Sequence, residues 1–116
     1  MSKRPIDLLL NDISQAIDRI EKYIKTLSFD AFSEDQKSVD AVVRNLEIIG
    51  EAASRLPDEF KEKYSEIEWY KVVGLRHRIV HAYFGIDLEI IWQILQKNLP
   101  ELRQKITRIM GDEGVS

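Results

Sequence analysis

P-I-D-L-L-L-N-D-I-S-Q-A-I-D-R-I-E-K-Y-I-K-T-L, from Pro5 to Leu27, decides the class of fold. Ile6, Leu10, Ile13, Ile17, Ile20, Ile24 and Leu27 recur in alternating steps of four and three. That spacing lines one face of an α-helix and does not fit the two-residue period of a strand. Pro5 suits a first helical turn, where its missing N–H costs nothing. Asp12, Asp18, Arg19, Glu21, Lys22 and Lys25 decorate the opposite face. Burying such a stripe contributes on the order of 10–20 kcal/mol gross before chain entropy is subtracted. The face therefore demands a partner helix.

Two further stripes of the same kind follow. Val39, Val42, Leu46, Ile49, Ala53 and Leu56 predict a second helix that ends before Pro57, and Ser33 with Gln36 three residues on reads as its capping box. Ser28 to Asp35 reads as a polar connector that tucks Phe29 and Phe32 over the bundle end, and Pro57 to Tyr64 as a short helix. A third main helix is expected from Trp69 to about Phe84, stopped by Gly85 in the left-handed conformation. Asp87 then caps a fourth, with Leu88, Ile91, Leu95, Leu99, Leu102, Ile106 and Ile109 on its apolar face. Pro100 interrupts that pattern and predicts a kink near Gln96, or a division of the helix. Neither strand alternation nor an internal repeat is visible. The expected architecture is an all-α, up-and-down bundle of four main helices plus a short helix, with apolar surface left for a homodimer face. Residues 1–110 are expected to form one domain and 111–116 a flexible tail.

Composition bounds the function. The 116 residues contain no cysteine, which excludes disulfides and thiolate metal sites. The apolar share of 44% and charged share of 32% describe a globular, charge-rich chain. No apolar run approaches the roughly 20 residues of a membrane span, and Met-Ser-Lys-Arg-Pro leads into an amphipathic pattern instead of a signal peptide. A cytoplasmic protein without membrane attachment is the expectation. The net charge of −3 argues against broad nonspecific duplex binding, whose affinity comes from many neutralised phosphates.

Against that acidic background, Trp69 to Ile86 has no acidic residue and carries Lys71, Arg76 and Arg78. Its centre, G-L-R-H-R-I-V-H-A-Y-F-G-I-D from Gly74 to Asp87, holds both histidines. Such a basic island is a candidate phosphate site. A guanidinium grips phosphate bidentately and stays charged, and an imidazole moves protons near pH 7. RNA brings its own nucleophile in the 2′-hydroxyl. Arg76 stabilising phosphorane charge, with His81 handling protons, can therefore cleave RNA without a metal. Tyr83 can hydrogen-bond phosphate or stack on a base. On a regular helix Arg76 and Tyr83 fall within about 20° of one another, but His81 lies about 140° from Arg76. Either the helix distorts before Gly85, or Arg76 and His81 converge through long side chains or across a subunit boundary.

Two competing readings attach to the same residues. His77 and His81 have the spacing of two helical zinc ligands, but carboxylates would have to come from Glu47 or Glu51 on another helix. Arg44, Asn45, Glu47 and Glu51 form a dense polar set on the second helix, either a solvated face or a support for the basic island. Trp69 and Trp92 read as core or interface anchors.

The pattern R-x4-H-x-Y at Arg76, His81 and Tyr83 resembles the signature of the HEPN superfamily, and of its HepT-like toxin branch in particular. I-E-W-Y-K-V-V-G-L-R-H-R-I-V-H-A-Y-F-G-I-D resembles that branch's third helix, R-N-L-E-I-I-G-E-A-A (Arg44 to Ala53) its second, and D-I-x-x-A-I-x-x-I-x-x-Y (Asp12 to Tyr23) its first. The similarity covers nearly the whole chain. It implies a homodimeric HEPN fold with two R-x4-H motifs facing a shared cleft. It also implies metal-independent endoribonuclease activity, with no cofactor, in the toxin of a toxin–antitoxin pair. The antitoxin of that branch is a minimal nucleotidyltransferase that transfers AMP from ATP to the motif tyrosine, here Tyr83. Arg76 and His81 take the catalytic roles by match to the motif, and Arg78, His77 and Asn45 are expected as supporting contacts to RNA or phosphate. A non-catalytic helical module that binds a nucleotide or a nucleotidyltransferase partner is the alternative.

Overall fold

In the computed structural model, which describes residues 4–84 and 87–115 and the side chains of those residues outside 80–84, the first stripe is the buried face of α1 (Ile6–Ile24). Leu10, Ile13, Ile17 and Ile20 are fully enclosed, and Leu9 and Ala16 widen the stripe by one residue on its flank. The remaining elements follow as α2 (Phe29–Glu34), α3 (Gln36–Arg55), α4 (Asp58–Lys63), α5 (Trp69–Val73), α6 (Leu75–Phe84), α7 (Leu88–Gln93), a π turn (Ile94–Asn98) and α8 (Leu99–Asp112). Among the described residues there is no strand, and no helix is long and apolar enough to cross a membrane.

The architecture is the expected all-α bundle. α1 packs on α3 and α8, α3 on α5 and α6, and α6 on α7. All six residues of the second stripe, from Val39 to Leu56 just past the end of α3, are buried. Pro57 ends that helix and caps α4, as expected. Trp69 is buried and donates its indole N–H to the Tyr64 carbonyl at 3.0 Å. Trp92 packs against Phe32 and Phe29, with ring centroids 5.1 and 6.1 Å away.

Local hydrogen bonding overrides several expected boundaries. The connector after α1 is itself a helix, α2, because the Ser28 hydroxyl accepts from the Ala31 amide at 3.1 Å and Phe32 inserts into the core. Ser33 therefore lies inside α2, its hydroxyl donating to the Asp30 carbonyl, and does not form a capping box with Gln36. Asp35 caps α3 instead, accepting from the Ser38 amide and hydroxyl. The expected third helix is two, broken at Gly74. Gly74 donates to the Tyr70 carbonyl at 3.0 Å, and a Cβ there would lie only 3.0 Å from the same oxygen. The expected stop at Gly85 lies outside the described residues.

Asp87 caps α7 by accepting from the Ile90 amide at 3.3 Å. The disturbance expected near Gln96 is a π turn, in which the Leu99 amide reaches back five residues to Ile94. The wider turn makes room for the Pro100 ring, which then occupies the first turn of α8, where its missing donor leaves nothing unpaired. Gly111 does not end α8, which runs through Asp112. The Val115 amide then bonds to the Met110 carbonyl at 2.8 Å.

Candidate active site

α6 carries the basic island and is held to the bundle by Leu75 and Ile79. These are four residues apart on one face, and both are buried. Arg76, His77 and Arg78, between those anchors, are exposed. A second tether is Gly50 of α3. It is buried, and a Cβ built on it would sit 3.4 Å from the Arg76 nitrogen and from the Val72 and Val73 carbonyl oxygens. The missing side chain lets α3 approach the α5–α6 joint closely and fixes where the Arg76 side chain begins.

Arg76 reaches back to α3. Its Nη1 lies 3.5 Å from Glu51 Oε2, while Glu51 Oε1 accepts from Arg55 Nε at 3.1 Å. Of the two readings of the polar set on α3, support for the basic island therefore holds for Glu51. The pairing places Glu51 between two guanidiniums.

Arg76 stands at the edge of a cleft of about 390 Å³ between α1, α3 and α6. The floor is Leu9, Ile48 and Ala52, and the rim bears Arg4 from the segment before α1, Asp12 from α1, and Arg44, Glu47, Glu51 and Arg55 from α3. Arg4 forks onto Asp12 with bonds of 2.7 and 2.8 Å. Arg44 makes no ion pair with another described residue. The cleft offers several guanidinium donors around a half-apolar floor, a surface suited to a phosphate-bearing ligand with a planar ring.

Of the expected supporting residues, Arg78 and Asn45 do not line the cleft beside Arg76. Arg78, two positions on and about 200° around the helix, lines a different hollow of about 110 Å³ with Lys71, Leu75, Ile94, Leu102 and Lys105. Asn45 is buried, its amide donating to the Ala41 carbonyl of its own helix at 2.8 Å, with Oδ1 lacking a partner among the described residues. Its side chain is turned to its own helix and does not line the cleft beside Arg76. His77 is exposed beside Arg76. His81 and Tyr83 lie on the described backbone of α6, and their side chains fall outside the described residues. α6 stays helical through Phe84, so no distortion of its backbone up to that residue brings positions 76 and 81 onto one face.

Sequence reading passed over the cleft itself. Arg44, Glu47, Glu51 and Arg55 fall at steps of three, four and four along α3, a polar seam opposite its apolar stripe. That period was available in the sequence. The partnership of Arg4 with Asp12, eight residues away, had no such signal.

The fold and this basic helix belong to a known class. The chain is a member of the HepT-like family, whose model, described as "Ribonuclease HepT-like", matches residues 13–109. It is 38% identical over 100 residues to a protein of Thermococcus cleftensis named "Probable ribonuclease HepT", covering 86% of this chain and 91% of that one. Two other relatives have "putative RNase" in their names. One, from Caldanaerobacter subterraneus, is 39% identical over 104 residues, covering 90% of this chain and 93% of its own. The other, from Methanocaldococcus jannaschii, is also named a gamma-glutamylcyclotransferase. It is 39% identical over 110 residues, 95% of this chain, which spans half the length of that relative. No solved structure matches the chain significantly.

Proposed function

We propose that this chain is a metal-independent endoribonuclease, the toxin of a toxin–antitoxin pair, silenced when a partner nucleotidyltransferase attaches AMP to Tyr83. The observation that carries the reading is Arg76, exposed at the edge of an arginine-bearing cleft on α6, in a chain of the HepT-like ribonuclease family. The same helix carries His81 and Tyr83 further along.

The chemistry follows from these groups. The His81 imidazole takes the proton of a ribose 2′-hydroxyl, and the freed oxygen attacks the adjacent phosphorus. The bond from phosphorus to the 5′-oxygen breaks, and that oxygen leaves with a proton from an imidazolium. Arg76 neutralises the charge that gathers on the phosphorane oxygens. No metal is needed, because the nucleophile is supplied by the substrate and the charge by the guanidinium. Since positions 76 and 81 point about 140° apart on one helix, the working site is assembled across a homodimer, Arg76 of one copy acting with His81 of the second. Such a dimer acts in the cytoplasm, where RNA and ATP are both present.

Silencing uses Tyr83. Its phenolic oxygen attacks the α-phosphorus of ATP, pyrophosphate leaves, and the phenol proton passes to solvent. The adenylate places negative charge near Arg76 and competes with the phosphate of RNA.

Product ends test the cleavage step. RNA cut by the unmodified protein carries a 2′,3′-cyclic phosphate and a 5′-hydroxyl; 3′-hydroxyl and 5′-phosphate ends would contradict the mechanism. Incubation with ATP and the partner nucleotidyltransferase raises the intact mass by whole adenylates and abolishes cleavage. The Tyr83→Phe protein stays unmodified, and adenylate found on that variant would place the modification elsewhere.

A further inference from the structure

The cleft beside Arg76 is larger than one phosphate requires. Its volume of about 390 Å³ falls in the range of small-ligand pockets. A single scissile phosphate engages only Arg76, yet Arg4, Arg44 and Arg55 share the same rim. Arg44 and Arg55 stand eleven residues apart on α3, about 16 Å along its axis, enough to follow a strand past several phosphates.

Three of the four arginines are held by carboxylates of this chain. Arg4 is paired with Asp12, and Arg55 and Arg76 share Glu51. These pairs fix where the guanidiniums stand and keep the cleft from being indiscriminately cationic. Arg44 differs. It is exposed, lines the cleft and makes no ion pair with a described residue, so a phosphate oxygen reaches it without displacing a carboxylate. On the floor, above the buried Leu9 and Ala52, the partly exposed Ile48 offers apolar surface to a base. Unstacked bases are available in single strands and not in a duplex.

We propose that the cleft between α1, α3 and α6 seats the single-stranded RNA that flanks the scissile phosphate, with Arg44 as a phosphate contact outside the reacting centre. This rests on the ribonuclease reading and extends it by naming a substrate-binding surface and the strandedness it selects. Arg44 binds and positions RNA and touches no reacting atom.

The test is binding of a fluorescein-labelled single-stranded RNA oligonucleotide across a salt series. The protein carries His81→Ala, so that RNA stays whole, and has Arg44 intact, Arg44→Ala or Arg44→Lys. Circular dichroism and sedimentation are recorded on each sample, and the unsubstituted protein is assayed for cleavage alongside. Arg44→Ala is expected to weaken binding roughly tenfold, as for loss of a charged hydrogen-bond donor. It should also lower the slope of log affinity against log salt by about 0.7, one single-strand phosphate contact. Arg44→Lys restores the slope and only part of the affinity, because an ammonium cannot fork onto phosphate. A duplex of the same sequence binds more weakly than the single strand.

Unchanged affinity and slope in Arg44→Ala, with RNA bound and the unsubstituted protein active, would overturn the cleft assignment and leave the nuclease standing. A change in sedimentation confined to Arg44→Ala would make the cleft a contact between copies and overturn it as well. Absence of RNA binding by the Arg44-intact protein, together with absence of cleavage, would remove both readings.

Discussion

Asn45 and Glu51 show how polar residues on one helix come to opposite fates. Glu51 faces the cleft and meets two arginines, while Asn45, six positions earlier, turns inward and bonds to its own backbone. In sequence the two belong to one polar set, since a hydrophobic stripe is a band whose margins accept small or amide side chains. What separates them is the neighbouring helix, which no local pattern encodes. With one acceptor lacking a partner among the described residues, Asn45 contributes little that an apolar side chain of its size would not. Asn45→Leu is therefore expected to leave RNA cleavage intact and stability unchanged or up to about 1 kcal/mol higher, read by thermal unfolding and a cleavage assay. Loss of cleavage in a folded Asn45→Leu protein would return the residue to the site.

The helix that carries the motif is the element least explained by its own sequence. Among the described side chains of α6, Leu75 and Ile79 are buried and the three between them are exposed. Those two are the anchors of this helix among its described side chains. Ile79→Ala is accordingly expected to cost about 2–5 kcal/mol, measured by chemical denaturation. Contact with α3 at Gly50 sets the other constraint. Gly50→Ala adds a methyl at ordinary contact distance and shifts stability by about 1 kcal/mol or less. Gly50→Val drives branches into the α5–α6 joint, costs about 1–3 kcal/mol and lowers cleavage by moving Arg76. A Gly50→Val protein as stable and active as the Gly50→Ala protein would show that the close approach is unimportant. The long stripes of α1, α3 and α8 were legible because period and burial agree over many turns. The disturbance near Gln96 was legible too, through Pro100, although not its form as a π turn. The break at Gly74 and the helix α2 were not, because each depends on one or two hydrogen bonds that outweigh a continuous pattern.

Across the molecule, distant segments are tied by polar contacts on the surface as well as by the core. Arg103 of α8 pairs with Asp18 and Glu21 of α1, and Arg108 with Glu66 before α5. Beyond α8, Glu113 accepts from Lys63 at 2.8 Å and from the Tyr64 hydroxyl. Those bonds, Lys63 first, hold the Glu113 carboxyl below the usual glutamate range, while Glu113 raises both Lys63 and Tyr64. A carboxyl depressed by folding stabilises above its unfolded value, and that contribution is lost as pH falls through the folded value. The raised lysine and tyrosine contribute below their unfolded values and lose that contribution as pH rises through the folded ones. The tie is thus present around neutrality and released at both extremes. A melting difference between the parent and Glu113→Gln is expected at pH 7 and should vanish in acid; a difference that grew in acid would contradict the assignment. Sequence gave no sign of this tie, since residues 49 and 50 positions apart share no pattern. The central claim remains the metal-free nuclease on α6. Its most direct test is cleavage of total cellular RNA in EDTA by protein of unmodified intact mass, beside Arg76→Ala and His81→Ala. Cleavage by the parent, and by neither folded variant, is the predicted result. Undiminished cleavage by folded His81→Ala protein, or none by unmodified parent, would contradict it.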